Sequence, residues 1–236
     1  GYAIVKLNGI DYGLHLNVET LNKQMLSRWG ITSQHLYKGG VPTFPDFTPG
    51  REVEYNLQSG DPADTSDLTK FIQVNQLNGD EWWGNMLQIA DMDEILKVWA
   101  LELYVQHWDG YVVNLNNYFI NFDKSGKASM YSWGTDQTWG GYLDFFNYRG
   151  LMPSKCLGSP QCSEAYLQVL ARIASIAKST NLYLFGLAVQ KGISDAIQAD
   201  PFRPGGMENI QSAQDAAFNQ VTWALGNLQN LVVPWD

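Results

Sequence analysis

His107-Trp108-Asp109-Gly110-Tyr111-Val112-Val113-Asn114, with the two alternating runs that follow it, decides the fold of this chain. The runs are Asn117-Tyr118-Phe119-Ile120-Asn121-Phe122 and Ala128-Ser129-Met130-Tyr131-Ser132-Trp133, separated by Asp123-Lys124-Ser125-Gly126-Lys127. Two alternating apolar runs around a short turn rich in Asp, Ser and Gly predict a β-hairpin. Asn114 stands just before the first run and Asp136 just after the second. Antiparallel pairing sets neighbouring strands ~5 Å apart and brings those two ends side by side. Asp109, in the loop that enters the hairpin, faces the same end.

Two carboxylates and an amide at one end of a rigid hairpin are hard oxygen ligands suited to Mg²⁺ or Mn²⁺. Protein kinases order such groups as His-x-Asp-x-x-x-x-Asn, a strand pair and a metal-binding Asp. The first half of that pattern is matched residue for residue; the gap from Asp109 to Asp136 is longer, and no Asp-Phe-Gly follows. Asp109 and Asn114 also suit caps at a helix end and a turn. His107 also suits an ordinary hydrogen-bonded histidine beneath Trp108.

Working outward, the spacing predicts helices opening at Ser66 (Leu68, Phe71, Ile72), over 81–89 and over 93–106 (Ile95, Leu96, Trp99, Leu103). Further upstream, 2–7 and 13–18 flank Asn8-Gly9 and predict a second hairpin. A helix is expected from near Thr20 to Gly30. Residues 39–62, rich in Pro and Gly, read as a surface excursion with one strand near 52–57. Downstream, helices are expected over 163–178, 182–198 and 208–230. The fold class is therefore α+β: a small β-rich part (1–62) and a mainly helical part (63–236) containing the hairpin 117–133. The chain opens on Gly1-Tyr2-Ala3-Ile4-Val5, as if inside a strand, which predicts a processed or truncated chain.

Composition narrows the classes. With 24 Asp+Glu against 15 Lys+Arg, a net charge of −9 leaves no basic footprint for nucleic acid. No apolar run reaches the ~20 residues of a membrane-spanning helix. Charged residues make up 17%, below the usual ~25%, and polarity comes from uncharged side chains, as in many secreted proteins. Cys156 and Cys162, around Gly158 and Pro160, predict a local disulfide and hence a place outside the cytosol. Phosphate-binding loop, Rossmann, HExxH and GxSxG motifs are absent. Of Trp82 and Trp83, at least one is expected in the core, although exposed tryptophans stack on sugars.

Gly13-Leu14-His15-Leu16-Asn17-Val18-Glu19, Leu36-Tyr37-Lys38, the 107–117 segment with Asn116-Asn117-Tyr118, and Ser132-Trp133-Gly134-Thr135-Asp136 together resemble the CotH kinase family of spore-coat-protein-H-like atypical kinases. The resemblance runs in order over most of the chain. It implies a remote kinase-like, two-lobed fold that binds ATP with Mg²⁺ or Mn²⁺ and phosphorylates Ser or Thr of secreted, coat or surface proteins. It makes Asp109 the catalytic aspartate, Asp136 a metal ligand, Asn114 or Asn117 a metal or phosphate contact, and Glu19 and Lys38 further nucleotide-site candidates. Glu19 also suits a strand-end charge, and Lys38 a solvated loop residue. Two departures stand out. Gly134 replaces the first acid of the family's Trp-Asp-x-Asp, and the upstream Arg-Gly-Asn-Ser-Ser strands are absent from these residues. The rival expectation is a non-catalytic surface adhesin or structural module of the same fold.

Overall fold

The computed structural model describes residues 1–136, 138, 148–202, 212, 215 and 219. The chain divides into two compact units, one holding Gly1–Thr20 and the described residues from Ala174 on, the other Leu21–Ile173.

In the first unit β1 (Tyr2–Leu7) and β2 (Ile10–Leu16) pair antiparallel around Asn8-Gly9, as the turn chemistry predicts. Both strands are exposed almost throughout. In the second unit α1 (Lys23–Arg28) is capped by the Asn22 side chain, which accepts from the Met25 amide. Then follow β3 (His35–Gly39), a single 3₁₀ turn (Glu52–Glu54), β4 (Asn56–Ser59), α2 (Ser66–Val74), α3 (Gly79–Ile89) and α4 (Met92–Tyr104). A four-residue helix, α5 (Tyr111–Asn114), precedes the hairpin of β5 (Tyr118–Phe122) and β6 (Ala128–Ser132). Next come α6 (Leu151–Leu157) and α7 (Pro160–Thr180). In the first unit α8 (Leu182–Ala199) packs on β2, where the Leu14 amide donates to Asp200.

The sheet of the second unit is antiparallel, in the order β4-β3-β5-β6. β5 lies between two strands and is buried over its whole length. Its alternating sequence therefore hides both faces, because α4 packs against the β6 side of the sheet while aromatic side chains fill the other parts of the core. The three helices read from apolar spacing all form, burying Leu68, Phe71 and Ile72 on α2, Trp82, Trp83 and Met86 on α3, and Ile95, Leu96, Trp99 and Leu103 on α4. Both Trp82 and Trp83 are buried, and the Trp82 indole N–H donates to Asn75 Oδ1. The disulfide Cys156–Cys162 forms, joining α6 to the first turn of α7.

Several expectations change. Residues 39–62 do not run only over the surface: Phe47 is fully buried, and Tyr55 and Asp46 are buried with it. The Pro and Gly residues make the segment irregular without making it exposed, because Phe47 packs against Tyr55, Phe71, Tyr111 and Tyr118 with ring centroids 4.9–6.1 Å apart. The strand expected near 52–57 begins at Asn56, after the 3₁₀ turn. The helix expected over 163–178 is preceded by α6, which the sequence pattern did not single out. The helix expected over 208–230 lies almost wholly outside the described residues.

Replacing Phe47 with Ala removes the ring shared by four aromatic neighbours. We expect a loss of about 3–5 kcal/mol in unfolding free energy by urea denaturation, the cost usual for a fully buried Phe.

Candidate functional site

The site is built where α4 turns into α5 and the hairpin. α4 ends beyond Tyr104, and the chain reverses through Gln106, whose φ is +56°. His107, Trp108 and Asp109 follow, with His107 fully buried and Trp108 44% exposed. α5 is anchored in the core by Tyr111, whose hydroxyl donates to Asp46 Oδ1 at 2.9 Å and whose ring lies 4.8 Å from that of Tyr118. The other Asp46 oxygen accepts from the Leu151 amide at 2.8 Å. One buried carboxylate thus fixes α5 and the start of α6 together.

The Asp109 carboxylate is held by three asparagine amides. Asn114 and Asn116 donate to Oδ1 at 2.7 and 3.0 Å, and Asn117 donates to Oδ2 at 2.8 Å. The same Asn117 amide reaches the Asp109 carbonyl at 3.1 Å. Leu115 and Asn117 both take positive φ, +56° and +49°, and this tight reversal brings three amides within one turn of the carboxylate. Of its roughly four lone-pair positions, three are filled by these side chains. Asn114 Oδ1 accepts from the exposed Arg149 guanidinium at 3.1 Å, and Asn116 Oδ1 accepts from the Val41 amide at 3.1 Å.

The hairpin closes the other side. Tyr118 pairs with Ser132, and the Trp133 amide donates to the Asn117 carbonyl at 2.7 Å. The chain leaving β6 therefore starts beside Asn117, as antiparallel pairing predicts. Gly134 then takes φ +59°, and a Cβ there would come within 2.8 Å of the Asn117 amide carbon. A side chain at 134 and the Asn117–Asp109 hydrogen bond compete for the same space. The Gly134 carbonyl accepts from His107 Nε2 at 3.1 Å, and Asp136 lies two residues on, exposed. The charges of both Asp109 and Asp136 act on His107; burial outweighs them and holds its pKa below the usual histidine value.

Behind this loop lies a residue that the sequence pattern did not single out. Glu102, 2% exposed on α4, accepts from the Val112 amide at 3.1 Å and from the Ser132 hydroxyl at 2.8 Å. Gly110 is required at that contact, since a Cβ would lie 2.5 Å from the Glu102 carboxylate. Burial pushes the Glu102 carboxyl up to about 7, against the pull of its hydrogen bonds. Its signal in the sequence was a charge three residues past Trp99 and one before Leu103, on the apolar stripe of α4.

Asp109, Asn114 and Asn117 are thus in one hydrogen-bonded cluster, and Asp136 adjoins it through His107 and Gly134. Lys38 sits on β3 opposite Phe119, its ammonium 6.0 Å from that ring centroid. Glu19 lies in the first unit, beyond the end of β2, and is exposed. Among the described residues no three His, Cys, Asp or Glu side chains gather as a metal cage. The candidate donors are hard oxygens, the carboxylate of Asp136 and the carbonyl oxygen of Asn114, the latter already accepting from Arg149. That chemistry fits Mg²⁺, which is commonly held by one or two carboxylates together with water and phosphate oxygens rather than by an all-protein cage.

Two tests follow from this geometry. Gly134→Ala puts a methyl-bearing residue into left-handed backbone against Asn117; the expected loss is about 1–2 kcal/mol, read as a lower urea midpoint, with displaced amide signals at Asn117. Glu102 binds its proton more tightly folded than unfolded, so its contribution to stability is full below pH ~4.5 and is lost as pH rises through about 7. At about 1.4 kcal/mol per pKa unit the full effect is ~3 kcal/mol. Unfolding free energies between pH 5 and 8 should fall less steeply in Glu102→Gln than in the wild type.

Residues 1–175 match the family described as CotH kinase protein. A relative, the inner spore coat protein H of Bacillus subtilis (strain 168), is 19% identical over an alignment covering 91% of this chain and 64% of the relative. The chain therefore spans less than two thirds of that relative's length. With some three quarters of its residues matched, the chain belongs to the CotH kinase protein family.

Proposed function

We propose that this chain is a metal-dependent, ATP-using phosphotransferase of remote kinase-like, two-lobed fold, acting on Ser or Thr hydroxyls of coat, secreted or surface proteins. The observation that carries the reading is the Asp109 carboxylate, held rigidly by three asparagine amides at the end of a hairpin that also delivers Asp136. The relative's name and the Cys156–Cys162 disulfide support a spore-coat or other extracytoplasmic setting. Among the described residues no helix is long and apolar enough to cross a membrane.

In this reading Asp109 orients the acceptor. Its remaining lone pair accepts the Ser or Thr hydroxyl proton and points the oxygen for attack. Three amide donors spread its charge and stop its rotation, so positioning is its main contribution. Asn114 and Asp136 would hold the divalent cation, with Asn117 and Lys38 as nucleotide contacts. Such a cation offsets the triphosphate charge and lets an acidic chain receive an anionic ligand. Asn114 can lend its oxygen only if Arg149 yields that contact, which leaves the guanidinium available to an anion beside it.

The second reading is a non-catalytic binding module. Gly134, where the family resemblance expects an acid, favours it, as does the engagement of Asn114 Oδ1 by Arg149.

Transfer of labelled phosphate from ATP to protein, in the presence of Mg²⁺ or Mn²⁺, should drop at least a hundredfold in Asp109→Ala and in Asp136→Asn. Activity that survives both changes rules out the assignment. Calorimetry with Mg²⁺ and ATP separates the two readings, since a binding module of the second kind shows no nucleotide uptake that depends on the metal.

A further inference from the structure

Glu102, Ser132 and His107 form a continuous chain that the phosphotransfer reading does not use. Ser132 Oγ lies 2.8 Å from Glu102 Oε1 and 3.3 Å from His107 Nδ1, and the two ends of the chain are 4.0 Å apart. Both end residues are buried, Glu102 at 2% and His107 at 0% exposure. At the far end His107 Nε2 faces the Gly134 carbonyl, which only accepts. The Nε2 proton is therefore fixed, and Nδ1 is the nitrogen that can change.

The protons can be counted. With Glu102 ionised and His107 neutral, two acceptors, Oε1 and Nδ1, face a single hydroxyl proton on Ser132. The Glu102 carboxylate is also served by the Val112 and Tyr111 amides, so when Ser132 donates to Oε1 it is Nδ1 of buried His107 that is left without a donor, a cost that buried polar groups rarely bear. One added proton satisfies every contact, and it can do so in two ways. Either protonated Glu102 donates to Ser132 Oγ and Ser132 donates to His107 Nδ1, or protonated His107 donates to Ser132 Oγ and Ser132 donates to ionised Glu102. The two forms interconvert when the Glu102 proton moves to Oγ as the Oγ proton moves to Nδ1. No atom or charge is gained or lost.

We propose that Glu102, Ser132 and His107 are a one-proton relay behind the candidate site, with Glu102 its positioning residue, which sets whether a positive charge stands beside Asp109 and Asp136. The relay joins three pieces of the site: the loop carrying Asp109, the start of α5 through the Val112 amide, and the end of β6 through Ser132. Burial acts in the direction that keeps the proton on Glu102 near neutrality, since it raises Glu102 to about 7 and lowers His107. The charges of Asp109 and Asp136 pull the other way, toward imidazolium. The groups that face the relay are these two carboxylates on the His107 side and the Tyr166 phenol of α7 on the Glu102 side. Its regulatory meaning rests on the phosphotransfer reading, because a charge moved onto His107 changes the field on the carboxylates assigned there.

The relay predicts a coupled titration. The chain has only three histidines, so ring-nitrogen NMR of the whole protein separates His107 from His15 and His35. Followed together with the carboxyl carbon of Glu102, His107 Nδ1 should shift with the same midpoint in the wild type. Ser132→Ala should pull the two midpoints apart by about one pH unit or more, and Ser132→Thr, which keeps the hydroxyl, should bring them back. Separate midpoints in the wild type, or midpoints that stay together without the hydroxyl, overturn the relay. The wild-type titration decides alone if Ser132→Ala does not fold. No turnover is needed for the measurement. A common midpoint in a protein that transfers no phosphate therefore sinks the phosphotransfer reading and leaves the relay standing.

Discussion

A carboxylate that is partly buried must be satisfied, and the candidate site is organised around satisfying one. Asp109 takes three asparagine amides, from Asn114, Asn116 and Asn117, within eight residues of sequence. Those contacts require the chain to reverse twice with positive φ, at Leu115 and Asn117, before it can enter β5. The same Asn117 then sets where the strand leaving the hairpin may pass: its amide fills the space above Gly134, and its carbonyl takes the Trp133 amide. The position of Asp136 follows from that. A change at Asp109 would release three asparagine side chains at once, and of these Asn114 and Asn116 keep second contacts, to Arg149 and to the Val41 amide.

This cluster can be rigid because the layer beneath it is dense. Phe47, Tyr55, Phe71, Tyr111, Tyr118 and Phe122 meet as an aromatic core, with Asp46 as its polar pin between α5 and α6. Tyr111 and Tyr118 belong both to this core and to the two elements that carry the site. The aromatic core and the asparagine cluster are thus anchored on the same two elements. Glu102 adds a second constraint from α4, held by the Val112 amide and by Ser132, so helix, loop and strand are fixed to one another from behind.

Much of this was legible in the sequence, and the reasons differ by element. The hairpin 117–133 and the faces of α2, α3 and α4 follow from local period, which depends only on neighbours in sequence. Asp109, Asn114 and Asp136 could be assigned to one end of the hairpin because antiparallel pairing is itself a local rule. The buried role of Phe47 was not legible, because Pro and Gly around it signal irregular backbone and say nothing about depth. α5 and α6 were missed for a related reason: four and seven residues are too few to show a helical period. Glu102 was visible as a charge on an apolar stripe, but its partners Val112 and Ser132 come from separate elements.

The sequence by itself determined the α+β composition, the hairpin, the disulfide and the order of Asp109, Asn114 and Asp136, because each depends on spacing along the chain. Only the tertiary structure decided that three asparagines share one carboxylate, that Gly134 is the space Asn117 needs, and that Glu102 reaches His107 through Ser132. Those relations depend on side chains that meet across turns and between elements, where distance in sequence does not measure distance in space.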